Sequence, residues 1–164
     1  EKILYDELND KNTLISIIKK GLDKIDNSYI FSITVSKEDY DIVQMYKDLI
    51  TLRKNYGALR SENISVFHID DANKLIAVHR WDGSQNMVVI LNFANKTWSG
   101  NYEIGWAVWK TGHCGFNSDW NGYSSDFGNH GGWDMNPVSG GIDGMGQKAA
   151  INIAPYSVQV YDLY

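Results

Sequence analysis

The sequence predicts a mainly β protein: an antiparallel β-sandwich of about seven to eight strands in Greek-key order, preceded by an N-terminal helical segment. Three observations carry this expectation. Apolar residues fall at helical spacing before about residue 60 and alternate or cluster in short runs after it. Those short runs recur between Gly, Asn and Asp clusters at the interval expected of a sandwich. The 164 residues, 43% hydrophobic and 21% charged, suffice to bury a core without disulfide or metal staples. The expected division is a helical segment over residues 1–57 and a sandwich over 58–164.

In chain order, Asn9 or Asp10 can cap a short amphipathic helix carrying Leu14, Ile15, Ile17 and Ile18, with Gly21 placed to end it. Residues 29–35, rich in aromatic and β-branched side chains, suit an extended segment. Ser36-Lys37-Glu38-Asp39 has the form of a capping box ahead of a wide apolar stripe from Ile42 to Leu52, which predicts a helix over residues 38–55. Arg53 and Lys54 suit its C-terminal dipole and Gly57 its end. A stripe that wide must pack on something large, or else bring two copies together. Strands are expected over residues 64–69, 74–81, 87–93, 102–104, 107–110, 149–153 and 157–163. Asp70-Asp71-Ala72-Asn73 and Asp82-Gly83-Ser84-Gln85 have hairpin chemistry, so the first three strands should form a meander. The Gly-rich stretch from 112 to 147 is too long for a hairpin and reads as a crossover with its own packing or a site.

Composition excludes several functions. A net charge of −5 without a basic stripe argues against nucleic acid. No apolar run approaches the ~18 residues of a membrane-spanning helix, so no membrane is expected as a partner. Cys114 is the single cysteine, so no internal disulfide can form and the chain leans towards a reducing, cytoplasmic setting. The chain starts Glu1-Lys2-Ile3 and reads as a piece of a longer protein.

Candidate chemistry concentrates in residues 116–129 and around them. Asp119, Asp126, Asp134 and Asp143 are carboxylates in Gly-rich turns, where Asp usually hydrogen-bonds the backbone, and their spacing fixes no catalytic pair. Asp119, Asn121, Asp126, Asn129 and Asp143 are hard oxygen donors, but they do not reproduce a calcium loop. His113 and His130 bracket the block without a helical His partner, and turn stabilisation is the expectation for the whole set. His68 and His79 lie in expected strands. Cys114 beside His113 makes no dyad, since neighbours on a strand face opposite ways. There is no nucleophile elbow, Walker loop or dinucleotide fingerprint. No cofactor, metal site or catalytic residue is therefore expected. The aromatics Trp106, Trp109, Phe116, Trp120, Tyr123, Phe127 and Trp133 remain. Large rings usually bury, yet exposed ones stack on sugar faces, and Trp120, Tyr123 and Trp133 are the carbohydrate-binding candidates.

Read in order, Ile42-Val43-Gln44-Met45-Tyr46-Lys47-Asp48-Leu49, Val66-Phe67-His68-Ile69, Leu75-Ile76-Ala77-Val78-His79-Arg80-Trp81 and Val88-Val89-Ile90-Leu91-Asn92-Phe93 resemble the C-terminal part of the α-amylase superfamily, glycoside hydrolase family 13. Phe116-Asn117-Ser118-Asp119-Trp120, Asp126-Phe127-Gly128-Asn129 and Ala154-Pro155-Tyr156-Ser157-Val158 continue the match, which covers about residues 36 to 164. The resemblance is closest to members of the α-amylase and 1,4-α-glucan branching enzyme type. It implies that the 38–55 helix is the last helix of a catalytic (β/α)₈ barrel and that the remainder is the accessory all-β domain behind it. In such enzymes two carboxylates at the barrel mouth act by retention. A barrel takes about 250 residues, so those carboxylates are expected upstream and none is carried over. The implied partners are the barrel and, through exposed aromatics, an α-glucan. Residues 1 to about 33 do not share the resemblance.

Overall fold

The computed structural model describes residues 37–164. The helix expected around residues 14–18, the extended segment at 29–35 and Ser36 of the capping box lie outside the described residues. Residues Asp41–Tyr164 form one compact unit.

Helix α1 (Lys37–Asn55) is followed by a short 3-10 turn (Gly57–Leu59) and eight strands: β1 (Ile64–Asp70), β2 (Leu75–Asp82), β3 (Gln85–Asn92), β4 (Trp98–Trp106), β5 (Gly112–Asn117), β6 (Val138–Ser139), β7 (Gln147–Ile153) and β8 (Ser157–Leu163). They form two antiparallel sheets, one in the order β1-β2-β3-β8-β5 and one in the order β4-β7-β6. The meander of β1, β2 and β3 closes as the turn chemistry requires. Asp70 accepts hydrogen bonds from the Asn73 backbone (3.0 Å) and side-chain amide (2.7 Å), and Gly83 takes φ +57° in the two-residue turn from Asp82 to Gln85. After β3 the chain crosses to the second sheet, and β8 returns to sit between β3 and β5.

The large sheet is covered on both faces. One face meets the small sheet: Leu75, Val88, Ile90, Tyr161 and Leu163 pack against Ile104, Trp106, Ile151 and Ile153. The other face carries Met87, Phe116 and Val160 against α1 residues Met45, Leu49 and Leu52 and against Tyr123. Strand alternation explains the split on β3 and β8, where successive residues serve opposite layers. Buried amides are paired: Asn92 Nδ2 donates to the Lys96 and Ala154 carbonyls, each at 2.7 Å, and Gln147 Nε2 donates to the Trp106 carbonyl at 2.7 Å.

Two strand expectations are corrected. Residues 107–110 do not form a strand: β4 ends at Trp106, and the chain reverses through a tight bend in which the Lys110 amide donates to Val108 (2.9 Å) and the Trp106 indole to Lys110 (3.0 Å). The stretch from 112 to 147 is not all crossover, because β5 adds an edge strand beside β8. Two glycines hid it, and so did a bulge at Gly115 that sends Cys114 to one core layer and Phe116 to the other. The two residues lie two apart, a spacing that would otherwise put them on one face.

Burial, with the neighbouring Cys114 thiol second, pushes the Tyr161 phenol above its ordinary value of 10.0. The folded chain therefore holds this proton at a pH where the unfolded chain has lost it. Stability is intact below pH ~10 and falls above it, by up to about 1.4 kcal/mol per pH unit for one such group. Urea midpoints measured from neutral to strongly alkaline pH should decline, with a shallower decline in Tyr161→Phe; equal slopes would contradict the assignment.

Candidate functional site

The block at residues 116–129 closes on itself. The Asn129 amide donates to the Asp119 carbonyl (2.7 Å), and turns run from Asn117 to Trp120, Trp120 to Tyr123 and Ser124 to Phe127. The result is a compact surface loop of the Ω type. Asp119 is its brace: one carboxylate oxygen accepts the Gly128 amide (3.3 Å), the other the His130 amide (2.8 Å). From His130 the chain enters the mouth between the sheets, where Gln159 Nε2 donates to the His130 carbonyl (3.0 Å).

Asp134 and Asp143 are also engaged, whereas Asp126, among the described residues, contributes only its backbone amide, donated to Ser124 Oγ at 3.4 Å. Asp134 pairs with His113 Nδ1 at 2.8 Å. Asp143 accepts the Gly105 amide (2.7 Å) and faces His68 Nδ1 at 3.0 Å. His68 Nε2 lies 2.9 Å from the Tyr102 hydroxyl, whose proton goes to Asp70 at 2.5 Å. Both ring nitrogens of His68 are thus engaged, Nδ1 with Asp143 and Nε2 with the Tyr102 hydroxyl. Hydrogen bonds from Asn73 first, and from Tyr102 second, hold the Asp70 carboxyl well below the usual carboxylate range. This chain of side chains ties β1 to β4 across the two sheets. Among the described residues, no three His, Cys, Asp or Glu side chains are grouped to hold a metal ion.

The three sugar-binding candidates fare differently. Tyr123 is 4% exposed, packed on Phe116, and its hydroxyl donates to Asp48 of α1 at 2.7 Å. It offers no open face, because the loop folds down onto the helix; its role as a stacking surface is corrected to that of an anchor. Trp120 remains 43% exposed and meets Tyr123 edge to face at 5.0 Å. Trp133 is 49% exposed but stands against His130 at 5.7 Å, apart from the pair.

Between α1, β5 and this loop lies a cleft of about 560 Å³. Trp120 stands in its wall together with Asp48, Thr51 and Asn55 from the helix, His113 from β5, and Asn117 and Asn129 from the loop. The three helix residues were invisible as a site, although their spacing places them on one flank of α1. Burial raises the Cys114 thiol to about 11, so its contribution to the cleft wall is an unreactive neutral group.

The family model for "Alpha amylase, C-terminal all-beta domain" matches residues 67–163. Among solved structures the chain is similar to an inactive double mutant of MutB in complex with isomaltulose, at 16% identity and a TM-score of 0.43, over 73% of this chain and 17% of that one. It is also similar to an isomaltulose synthase mutant from Erwinia rhapontici NX5 in complex with sucrose, at 15% identity and a TM-score of 0.44, over 72% of this chain and 17% of that one. The chain thus spans about 17% of the length of these structures.

Proposed function

The chain belongs to the family of α-amylase C-terminal all-β domains, and on that premise we propose that it is the non-catalytic accessory domain of a larger α-glucan-active enzyme, of the α-amylase or 1,4-α-glucan branching type. The observation that carries the proposal is the outer surface of α1. Met45, Leu49 and Leu52 are spent on the sheet, yet Ile42, Val43, Tyr46 and Ile50 form a second apolar stripe that faces solvent. Such a stripe is uncommon on a free surface and marks an interaction site. A catalytic barrel covering it would complete the helix's burial, with residues 1–57 belonging to the barrel side and 58–164 to the sandwich. Without that cover, the same stripe would bring two copies of the chain together. The acids of the Gly-rich region support a passive role, since Asp119 and Asp143 accept backbone amides as braces.

The purified chain, incubated with amylose or glycogen, is expected to release no reducing sugar and to introduce no branches. Turnover that disappears in Asp119→Asn or Asp126→Asn would overturn the reading. A second reading, an α-glucan-binding module, is favoured by the exposure of Trp120 and Trp133 on the loop region.

A further inference from the structure

We infer that the cleft between α1, β5 and the 117–132 loop is a binding site for a neutral oligosaccharide, with the Trp120 indole as its stacking face. The inference takes its ligand class from the binding-module reading and adds the location, the contacts and the exclusion of charged ligands. It does not depend on the accessory-domain reading.

Size comes first. At about 560 Å³ the cleft falls within the ~300–1,000 Å³ typical of small-molecule sites. Its chemistry is selective. The wall holds one carboxylate, several amides, the Thr51 hydroxyl, the His113 imidazole and the Trp120 ring, and no Lys or Arg. A phosphate or carboxylate ligand would meet Asp48 with no Lys or Arg to offset it and with His113 already paired to Asp134, whereas hydroxyl groups find both donors and acceptors. Thr51 and Asn55 are exposed and, among the described residues, their side chains have no hydrogen-bond partner, so their groups are available to a ligand.

The ring is also preset. A Cβ on Gly122 would lie 2.4 Å from the Trp120 ring, so the indole rests where only glycine leaves room, and Tyr123 meets it at right angles with the ring centroids 5.0 Å apart. Tyr123 is itself fixed by its hydrogen bond to Asp48. An aromatic held in place loses little freedom when a sugar stacks on it. Asp48, Tyr123 and Gly122 are accordingly positioning residues, while Trp120, Thr51 and Asn55 make the contacts.

The cleft also stays open when α1 is covered. Successive helix residues are about 100° apart, which centres Asp48, Thr51 and Asn55 about 170° from the Ile42, Tyr46, Ile50 stripe. A partner seated on the stripe leaves that flank free.

Calorimetric titration of the chain with maltoheptaose, paired with amide and indole NMR spectra, tests the inference. Binding should perturb the Trp120 indole signal, weaken roughly tenfold or more in Trp120→Ala, and weaken in Gly122→Ala, whose clash the exposed ring can relieve by swinging away with the fold intact. Thr51→Val should cost a few-fold and Trp133→Ala should change little. Binding lost in Trp133→Ala but kept in Trp120→Ala would overturn the cleft while sparing the binding-module reading. No binding at millimolar sugar would overturn both. Displacement of the sugar by inorganic phosphate would overturn the neutral-ligand assignment.

Discussion

Trp106→Ala is expected to lower the unfolding free energy by about 3–5 kcal/mol, a large share of the ~5–15 kcal/mol available to a domain. Trp106 is fully buried between the sheets, edge-on to Tyr161 at 5.9 Å, with its indole N–H donating to the Lys110 carbonyl at 3.0 Å. Its removal would leave a void that neither sheet can close, and it would free the bend that turns β4 towards β5. The same ring explains Gly112, where a Cβ would come within 2.4 Å of it. Gly112→Ala should therefore be costly in the native background and much cheaper beside Trp106→Ala, a coupling that a double-mutant cycle of urea midpoints measures. Additive effects, or a Trp106→Ala loss under about 1 kcal/mol, would contradict this packing.

Gly131→Ala is expected to be at least as damaging, costing more than about 4 kcal/mol. Gly131 sits at φ +76°, and a Cβ there would lie 1.7 Å from the Asn152 carbonyl oxygen, a backbone atom of β7 that cannot swing aside. Its own carbonyl receives the Tyr161 hydroxyl at 3.1 Å. Tyr161 belongs to the opposite sheet, so the mouth of the sandwich closes around a single glycine. Gly146→Ala is the contrast: its Cβ would meet nothing within 4 Å, and no left-handed backbone is needed there. That substitution should be neutral or stabilising by ~0.4–1 kcal/mol through the unfolded chain. Thermal unfolding of the two variants side by side checks the pair, and equal melting temperatures would refute it.

Much of the architecture was legible in the residues. Helix α1 runs Lys37–Asn55 against an expected 38–55, and β8 runs Ser157–Leu163 where the pattern put it, because both carry an unbroken period bounded by clear stop signals. The first two hairpins followed from turn residues alone. What failed did so for local reasons. Residues 107–110 have strand-forming side chains, but Trp106 and Lys110 bond to each other and bend the segment. Strand β5 has two glycines and a bulge, so its alternation breaks in the middle. The loop aromatics were visible as a group, yet nothing in their order distinguished Tyr123, buried, from Trp120, half open.

The sequence by itself determined the class of fold, the positions of most strands and the strong helix, since each is written in spacing and turn chemistry along neighbouring residues; the family rested on the colinear resemblance of its segments. Only the tertiary structure decided that β8 inserts between β3 and β5, that Asp119 braces a loop, and that Tyr123 reaches Asp48, 75 residues away, to hold Trp120 over a cleft. The physical reason is that periodicity records how many faces of an element are buried. It does not record which distant element buries them, and the orientation of a ring is fixed by that distant partner.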